Sequence, residues 1–119
     1  MKFKLIAAAA VVSCGLAVPA AAHHSFAMFD SSKQMTLVGT VKEFQWTNPH
    51  TWIQVNVPTS GKVVEWSIEG GSPNGLARRG WKSTILKPGD KITLVINPMK
   101  DGSNGGSLKT VTLADGKVL

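Results

Sequence analysis

Between residues 35 and 119 the chain alternates apolar and polar side chains in five separate runs, each with the two-residue period of a strand. The first, MTLVGTVKEFQW (35–46), sets Leu37, Gly39, Val41 and Glu43 on one face and Val38, Thr40, Lys42 and Phe44 on the other. Its β-branched content and central Gly39 predict a long strand bent at the glycine. Asn48-Pro49 ends it. HTWIQVNV (50–57) follows, with Ile53, Val55 and Val57 on the expected core side and Trp52, Gln54 and Asn56 opposite. Pro58-Thr59-Ser60-Gly61 reads as a turn. KVVEWSIE (62–69) is the third run, with Val64, Trp66 and Ile68 on one face. Short connections between the three predict an antiparallel meander.

The period then changes. Ser72-Pro73 is an N-cap followed by proline at the first helical position, and Gly80 is a C-terminal stop. The helix between them has about two turns, with Leu76 inward. Leu86-Lys87-Pro88-Gly89-Asp90 is a turn signal. KITLVIN (91–97) is the fourth strand, with Ile92, Leu94 and Ile96 inward. Asp101 to Gly106 is expected to be a flexible hairpin loop. SLKTVTL (107–113) is the fifth strand, with Leu108, Thr110 and Thr112 opposite Lys109, Val111 and Leu113. An all-β chain of three strands, one short helix and two more strands has the order of a five-stranded OB-like Greek-key barrel. An open sandwich and an SH3-like barrel are the alternatives.

Upstream, residues 1–22 have the physics of a secretory signal peptide. Lys2 and Lys4 form its charged start, Leu5 to Val18 its apolar run, and Ala20-Ala21-Ala22 its small-residue cleavage pattern. The run is shorter than the ~20 residues of a spanning helix, and no later stretch is apolar enough to cross a membrane. The expected location is the periplasm or the exterior. Val11-Val12-Ser13-Cys14 also reads as a short lipobox, which would make the chain a lipoprotein through Cys14. Residues 23–34 are expected to form an N-terminal arm that docks Phe26, Met28 and Phe29 onto a single domain, residues 35–119. Cys14 is the only cysteine. A mature chain cut after Ala22 therefore has no disulfide, zinc-thiolate or cysteine-nucleophile chemistry.

The net charge of +6 includes Lys2 and Lys4 of the leader, and no basic block stands in the rest of the chain. That balance argues against nucleic acid as a partner. No phosphate-binding glycine loop is present. Glu65 and Glu69 suggest no acid–base pair, and Ser25 beside His24 has no triad logic. Enzyme activity has no positive signal. Candidate chemistry rests on His23, His24 and His50. Cleavage after Ala22 makes His23 the terminus, so its amine and imidazole can chelate one metal ion, with a second histidine completing three nitrogens. Cleavage after Ala20 or Ala21 puts a histidine third and favours a local square-planar site. Such nitrogen sets suit copper or nickel. The competing reading is a polar terminus without a ligand. His50 could join the terminal histidines if the arm folds over its loop, or act as a structural hydrogen-bonding residue. Trp46, Asn48, Pro49 and Trp52 surround His50 and form the candidate ligand or partner surface. Met28, Met35 and Met99 are soft thioethers that suit Cu(I) or fill gaps in a core.

The segments HHSFAMFD, TLVGTVKEFQWTNPHTWI, PNGLARRGW and LKPGD together resemble an uncharacterised family of small secreted bacterial proteins, a domain of unknown function of the 6152 type. The resemblance spans residues 23 onward and implies a periplasmic OB-like domain, with no activity or site residues attached. A looser similarity is to small periplasmic copper chaperones on OB-like barrels, although this chain lacks their Met-x-Met pair. The expected function is a secreted, non-enzymatic binding domain with a copper or nickel site at His23, His24 and His50. The alternative is a metal-free accessory subunit that contacts an unknown periplasmic protein or small ligand.

Overall fold

Five strands close into a barrel in the computed structural model, which describes residues 27–119. They are β1 (Met35–Gln45), β2 (Trp52–Thr59), β3 (Lys62–Glu69), β4 (Lys91–Pro98) and β5 (Gly105–Thr112). Helix α1 (Pro73–Arg78) lies between β3 and β4 in the chain. The order around the barrel is β1-β2-β3-β5-β4, with β4 paired back onto β1. All pairings are antiparallel except β3 with β5, which run parallel. This is the expected OB-like architecture, and the mostly β character of the described residues, with the short helix between β3 and β4, follows the sequence period.

The interior is an aliphatic cluster. Val55, Ile68, Leu94, Ile96 and Val111 are each 0% exposed, and Ile53 and Val41 nearly so. β2 and β3 contribute through strict alternation, with Ile53 opposite Ile68, Val55 opposite Trp66 and Val57 opposite Val64. The hairpin between them turns on two residues, Ser60 (φ 47°) and Gly61 (φ 78°), both left-handed. Pro58 and Thr59, expected in the turn, belong to the ladder.

Two strands depart from plain alternation. The register of β1 against β2 shifts between Val41 and Glu43. The extra residue there, Lys42, reverses the facing that follows. Phe44, rather than Glu43, then packs against the core. Gly39 is not the site of this bulge. A Cβ there would strike the Asn56 carbonyl and lie 2.9 Å from Val55 Cγ2, so glycine admits the β2 backbone. In β5 the register against β4 shifts between Val95 and Ile96, passing over Lys109. Leu108 and Val111 consequently both face the core, although simple alternation placed them on opposite faces.

The sharpest correction concerns Gly105 and Gly106. They are not loop residues. They open β5, are buried, and pair with Ser67 and Ile68 of β3. A Cβ on Gly106 would lie 2.6 Å from Ile96 Cδ1 and 2.7 Å from the Asn97 carbonyl. Only a residue without a side chain fits where β4, β5 and β3 converge.

Helix α1 forms as its capping residues predict. The Ser72 hydroxyl accepts the Gly75 N–H (3.1 Å), Pro73 starts the helix, and Gly80 takes φ 90° just beyond it. Leu76 and Trp81 are buried in the core cluster, with Phe44 6.0 Å from Trp81 between ring centroids.

Gly106→Ala should lower stability by roughly 1–3 kcal/mol, because backbone as well as side chain must yield to the new methyl. A urea unfolding midpoint indistinguishable from that of the parent would refute this account of the β3–β5 junction.

Candidate functional site

The His50 loop is built by local hydrogen bonds. After β1 the chain turns through Thr47-Asn48-Pro49, with a cis Asn48–Pro49 peptide. The Thr47 hydroxyl donates to the His50 carbonyl at 2.7 Å. Thr51, 1% exposed, then locks the loop onto the chain after β3. Its N–H (2.9 Å) and hydroxyl (2.8 Å) both donate to the Gly71 carbonyl, and its own carbonyl accepts the Gly70 N–H (2.8 Å). These bonds fix His50 beside the end of β3.

There the imidazole Nδ1 of His50 meets the Glu69 carboxylate. Glu69 is a residue that its sequence context had not marked. It stands on the outward row of β3, opposite Trp52, yet its side chain is only 9% exposed, against 31% for His50. A buried carboxylate requires a partner, and His50 supplies it. When the ring is neutral, the carboxylate holds the proton on Nδ1 and leaves Nε2 as the lone-pair nitrogen. When the ring is protonated, the pair becomes a salt bridge.

Phe29 borders the cleft beside this pair. The arm crosses the end of β4, where the Asp30 N–H donates to the Pro98 carbonyl (2.8 Å) and the Lys100 N–H to the Met28 carbonyl (2.9 Å). Phe29 bridges to Met99 and is 8% exposed. It lines a cleft of about 220 Å³ together with His50, Glu69, Arg79, Ser107 and Leu108. Phe29 also lines a second cleft of about 200 Å³, shared with Met28, Trp52, Met99 and Gly105. The arm turn is braced by Asp30, whose carboxylate accepts from the Ser32 hydroxyl and the Ser32 N–H (3.1 Å). The Ser32 hydroxyl bond is the main cause that holds the Asp30 carboxyl below its ordinary value.

His23 and His24, like the leader and Phe26, lie outside the described residues. Among the described residues, no group of three or more His, Cys, Asp or Glu converges, and no helix is long and apolar enough to cross a membrane. The described part of the chain brings one imidazole and one carboxylate together. The predicted partner surface is divided. Trp46 turns inward, edge-on to Phe44 at 5.8 Å, and packs on the core. Trp52 turns outward into the second cleft, whereas Asn48 and Pro49 are exposed. Of the methionines, Met28 and Met99 share that cleft, and Met35 stands apart at 39% exposure. The outer row of β1, β2 and β3 carries Glu43, Glu65 and Glu69, with Lys42 bonded to Glu65 at 2.8 Å.

The chain belongs to a family of unknown function (DUF6152), whose model matches residues 10–109. No curated protein matches it. Among solved structures it is similar to two crystal forms of the mitochondrial single-stranded DNA binding protein Rim1 from S. cerevisiae. One is 14% identical, with a TM-score of 0.51, covering 69% of this chain and 94% of that chain. The other is 12% identical, with a TM-score of 0.53, covering 69% and 92%. At this identity the likeness establishes the OB-like fold.

Ser32→Ala should raise the Asp30 pKa back toward the ordinary carboxylate range. A folded-state pKa below the unfolded one stabilises above the unfolded pKa, and that contribution disappears as pH falls through the folded value. The variant should therefore lose less stability than the parent on acidification. Carboxyl-detected NMR titration of Asp30 checks the shift, and an unchanged Asp30 pKa in the variant would refute the assignment.

Proposed function

We propose that this chain is an exported, non-enzymatic binding domain that takes up Cu(II) or Ni(II) through His50 and the terminal histidines His23 and His24. The observation that carries the reading is the His50–Glu69 pair at the edge of a cleft. Metal-binding histidines commonly donate their second ring N–H to a carboxylate, which fixes the tautomer and makes the other nitrogen a better ligand. Glu69 stands in that relation to His50. Arg79 lines the same cleft, so its charge offsets that of Glu69 and nitrogen ligation must supply the affinity.

Chain length is compatible with the remaining ligands. His24 precedes Phe29 by five positions, and Phe29 borders the His50 cleft. An extended chain of that length reaches at most about 18 Å. The reading needs a processed terminus, because an uncut leader would remove the terminal amine from the ligand set.

Binding of single-stranded nucleic acid, the activity named for the two similar solved structures, is not carried over. The exposed outer face of β1–β3 carries Glu43 and Glu65 beside Lys42, which Glu65 engages, while Glu69 is buried against His50. These residues form no basic groove, whereas single-strand binders pair stacking aromatics with one. A labelled oligo(dT) should show no saturable anisotropy change with micromolar protein at low salt. Tight, salt-sensitive binding would remove this argument.

Protein purified with its native terminus should bind Cu(II) at micromolar concentration, with the visible absorption of a nitrogen-rich tetragonal site. Glu69→Gln should weaken that binding about 10- to 100-fold while keeping all three histidines, and His50→Ala should weaken it further. Absence of uptake by the processed protein sinks the reading. Unchanged affinity in both variants confines any site to the terminus and removes His50 from it.

A further inference from the structure

Two Asn-Gly steps occur in the sequence, Asn74-Gly75 and Asn104-Gly105. A glycine leaves its own amide nitrogen uncrowded, so that nitrogen can attack the asparagine side-chain carbonyl beside it. The nitrogen bonds to Cγ, the Cγ–Nδ2 bond breaks, and the departing ammonia carries off the N–H proton. Water then opens the five-membered imide at either carbonyl, giving aspartate or isoaspartate. Both asparagines are exposed. Exposure does not distinguish them, so the backbone must.

Asn74 lies in the first turn of α1. A helical backbone holds ψ at about −42°, and attack requires that torsion to leave the helix. Doing so breaks the bonds from the Leu76 N–H to the Ser72 carbonyl (2.9 Å) and from the Gly75 N–H to the Ser72 hydroxyl (3.1 Å). Asn104 is instead the single residue between a braced turn and β5. The Asp101 carboxylate holds the turn by accepting the Ser103 N–H (2.9 Å) and hydroxyl (2.6 Å). The Gly105 N–H donates to the Ser103 carbonyl, two residues back, at 2.9 Å. A bond across so few atoms is bent, and its loss frees the nitrogen without unwinding a helix.

The Asn104 carbonyl also accepts the Ser67 N–H at 3.1 Å, next to the Ser67–Gly105 pair of the β3–β5 junction. In an isoaspartyl linkage the main chain runs through Cβ and Cγ. It is longer by an atom, and the former carbonyl becomes a side-chain carboxylate. Gly105 has little room to absorb the change. A Cβ there would already lie 3.1 Å from the Ser67 carbonyl oxygen and 3.3 Å from Met99 Cγ. An aspartyl linkage leaves the main chain as it was. We infer that Asn104 is a site of spontaneous succinimide formation, and that its isoaspartyl product loosens the β3–β5 closure of the barrel. Neither a metal nor a histidine enters this chemistry, so it stands apart from the proposed binding function.

The test ages the folded full-length protein in mildly alkaline buffer, which helps remove the Gly105 amide proton. Trypsin separates the two steps, since Val63–Arg78 carries Asn74 and Asp101–Lys109 carries Asn104. Mass spectrometry should show acid in place of amide at Asn104 while Asn74 remains an amide. Asn104→Gln, whose longer side chain cannot close the same ring, should abolish conversion in the Asp101–Lys109 peptide. The isoaspartyl form, separated by ion exchange, should unfold at lower urea than the parent. Its Ser67 N–H should exchange roughly fivefold faster, the change that losing one ordinary hydrogen bond brings. Asn104→Asp carries the same charge on an unaltered main chain and should match the parent in both. The inference is overturned if Asn74 converts as fast as Asn104, or if Asn104 keeps its amide after a synthetic Asp101–Lys109 peptide has fully converted. It is equally overturned if the isoaspartyl form and Asn104→Asp share one urea midpoint and one Ser67 exchange rate.

Discussion

The parallel contact between β3 and β5 is the constraint on which the rest of the molecule depends. It is three residue pairs long, Ser67 with Gly105, Ile68 with Gly106 and Glu69 with Ser107. The other contacts around the barrel are longer and antiparallel. Without this junction the sheet would stay open, and Ile68, Ile96 and Val111 would lose the enclosure that buries them completely. Two adjacent glycines make it possible, because the space for a Cβ at Gly106 is already taken by Ile96 and the Asn97 backbone.

The same junction organises the candidate chemistry. Five of its six residues divide between two clefts: Ser67, Gly105 and Gly106 line one, and Glu69 and Ser107 the other. Phe29 lies over the junction and belongs to both. The arm therefore does more than add apolar burial. It lines the cleft of the His50–Glu69 pair with Phe29 and brings Met28 to the same cleft as Met99. A short segment outside the barrel thus lines both clefts beside β3. An OB-type barrel by itself names no ligand. Here the ligand question turns on how this chain lines the clefts beside the barrel's outer face.

Much of the fold was legible in the sequence. Alternation located β2, β3 and β4 within two residues, and Ser72, Pro73 and Gly80 delimited α1. The site was less so. His50 drew notice as a rare histidine in a loop, but Glu69 ended a strand like any other acid. The signal that could have found it is the Ser60-Gly61 hairpin. Counting back from that turn sets Thr59 opposite Lys62 and Trp52 opposite Glu69, with His50 two residues away. The count gives proximity and not burial, because the cleft around Glu69 is also lined by Phe29, Arg79 and Leu108, which are distant in sequence. Trp46 and Trp52 show a similar limit. They are close in sequence, yet one faces the core and the other the second cleft.

The sequence by itself determined what depends on neighbours: the alternation of β2, β3 and β4, the place of the turn between β2 and β3, and the capped helix. These follow from local backbone preferences and from the alternation of a half-buried sheet. Only the tertiary structure decided which residues oppose which across the closure. The bulges at Lys42 and Lys109 are invisible to alternation, since each inserts one residue and reverses every facing beyond it. Gly105-Gly106 likewise carries the local signal of a loop and becomes strand because β3 is there to pair with it. Closing a barrel requires its register shifts to sum correctly around the ring, and no single segment contains that condition.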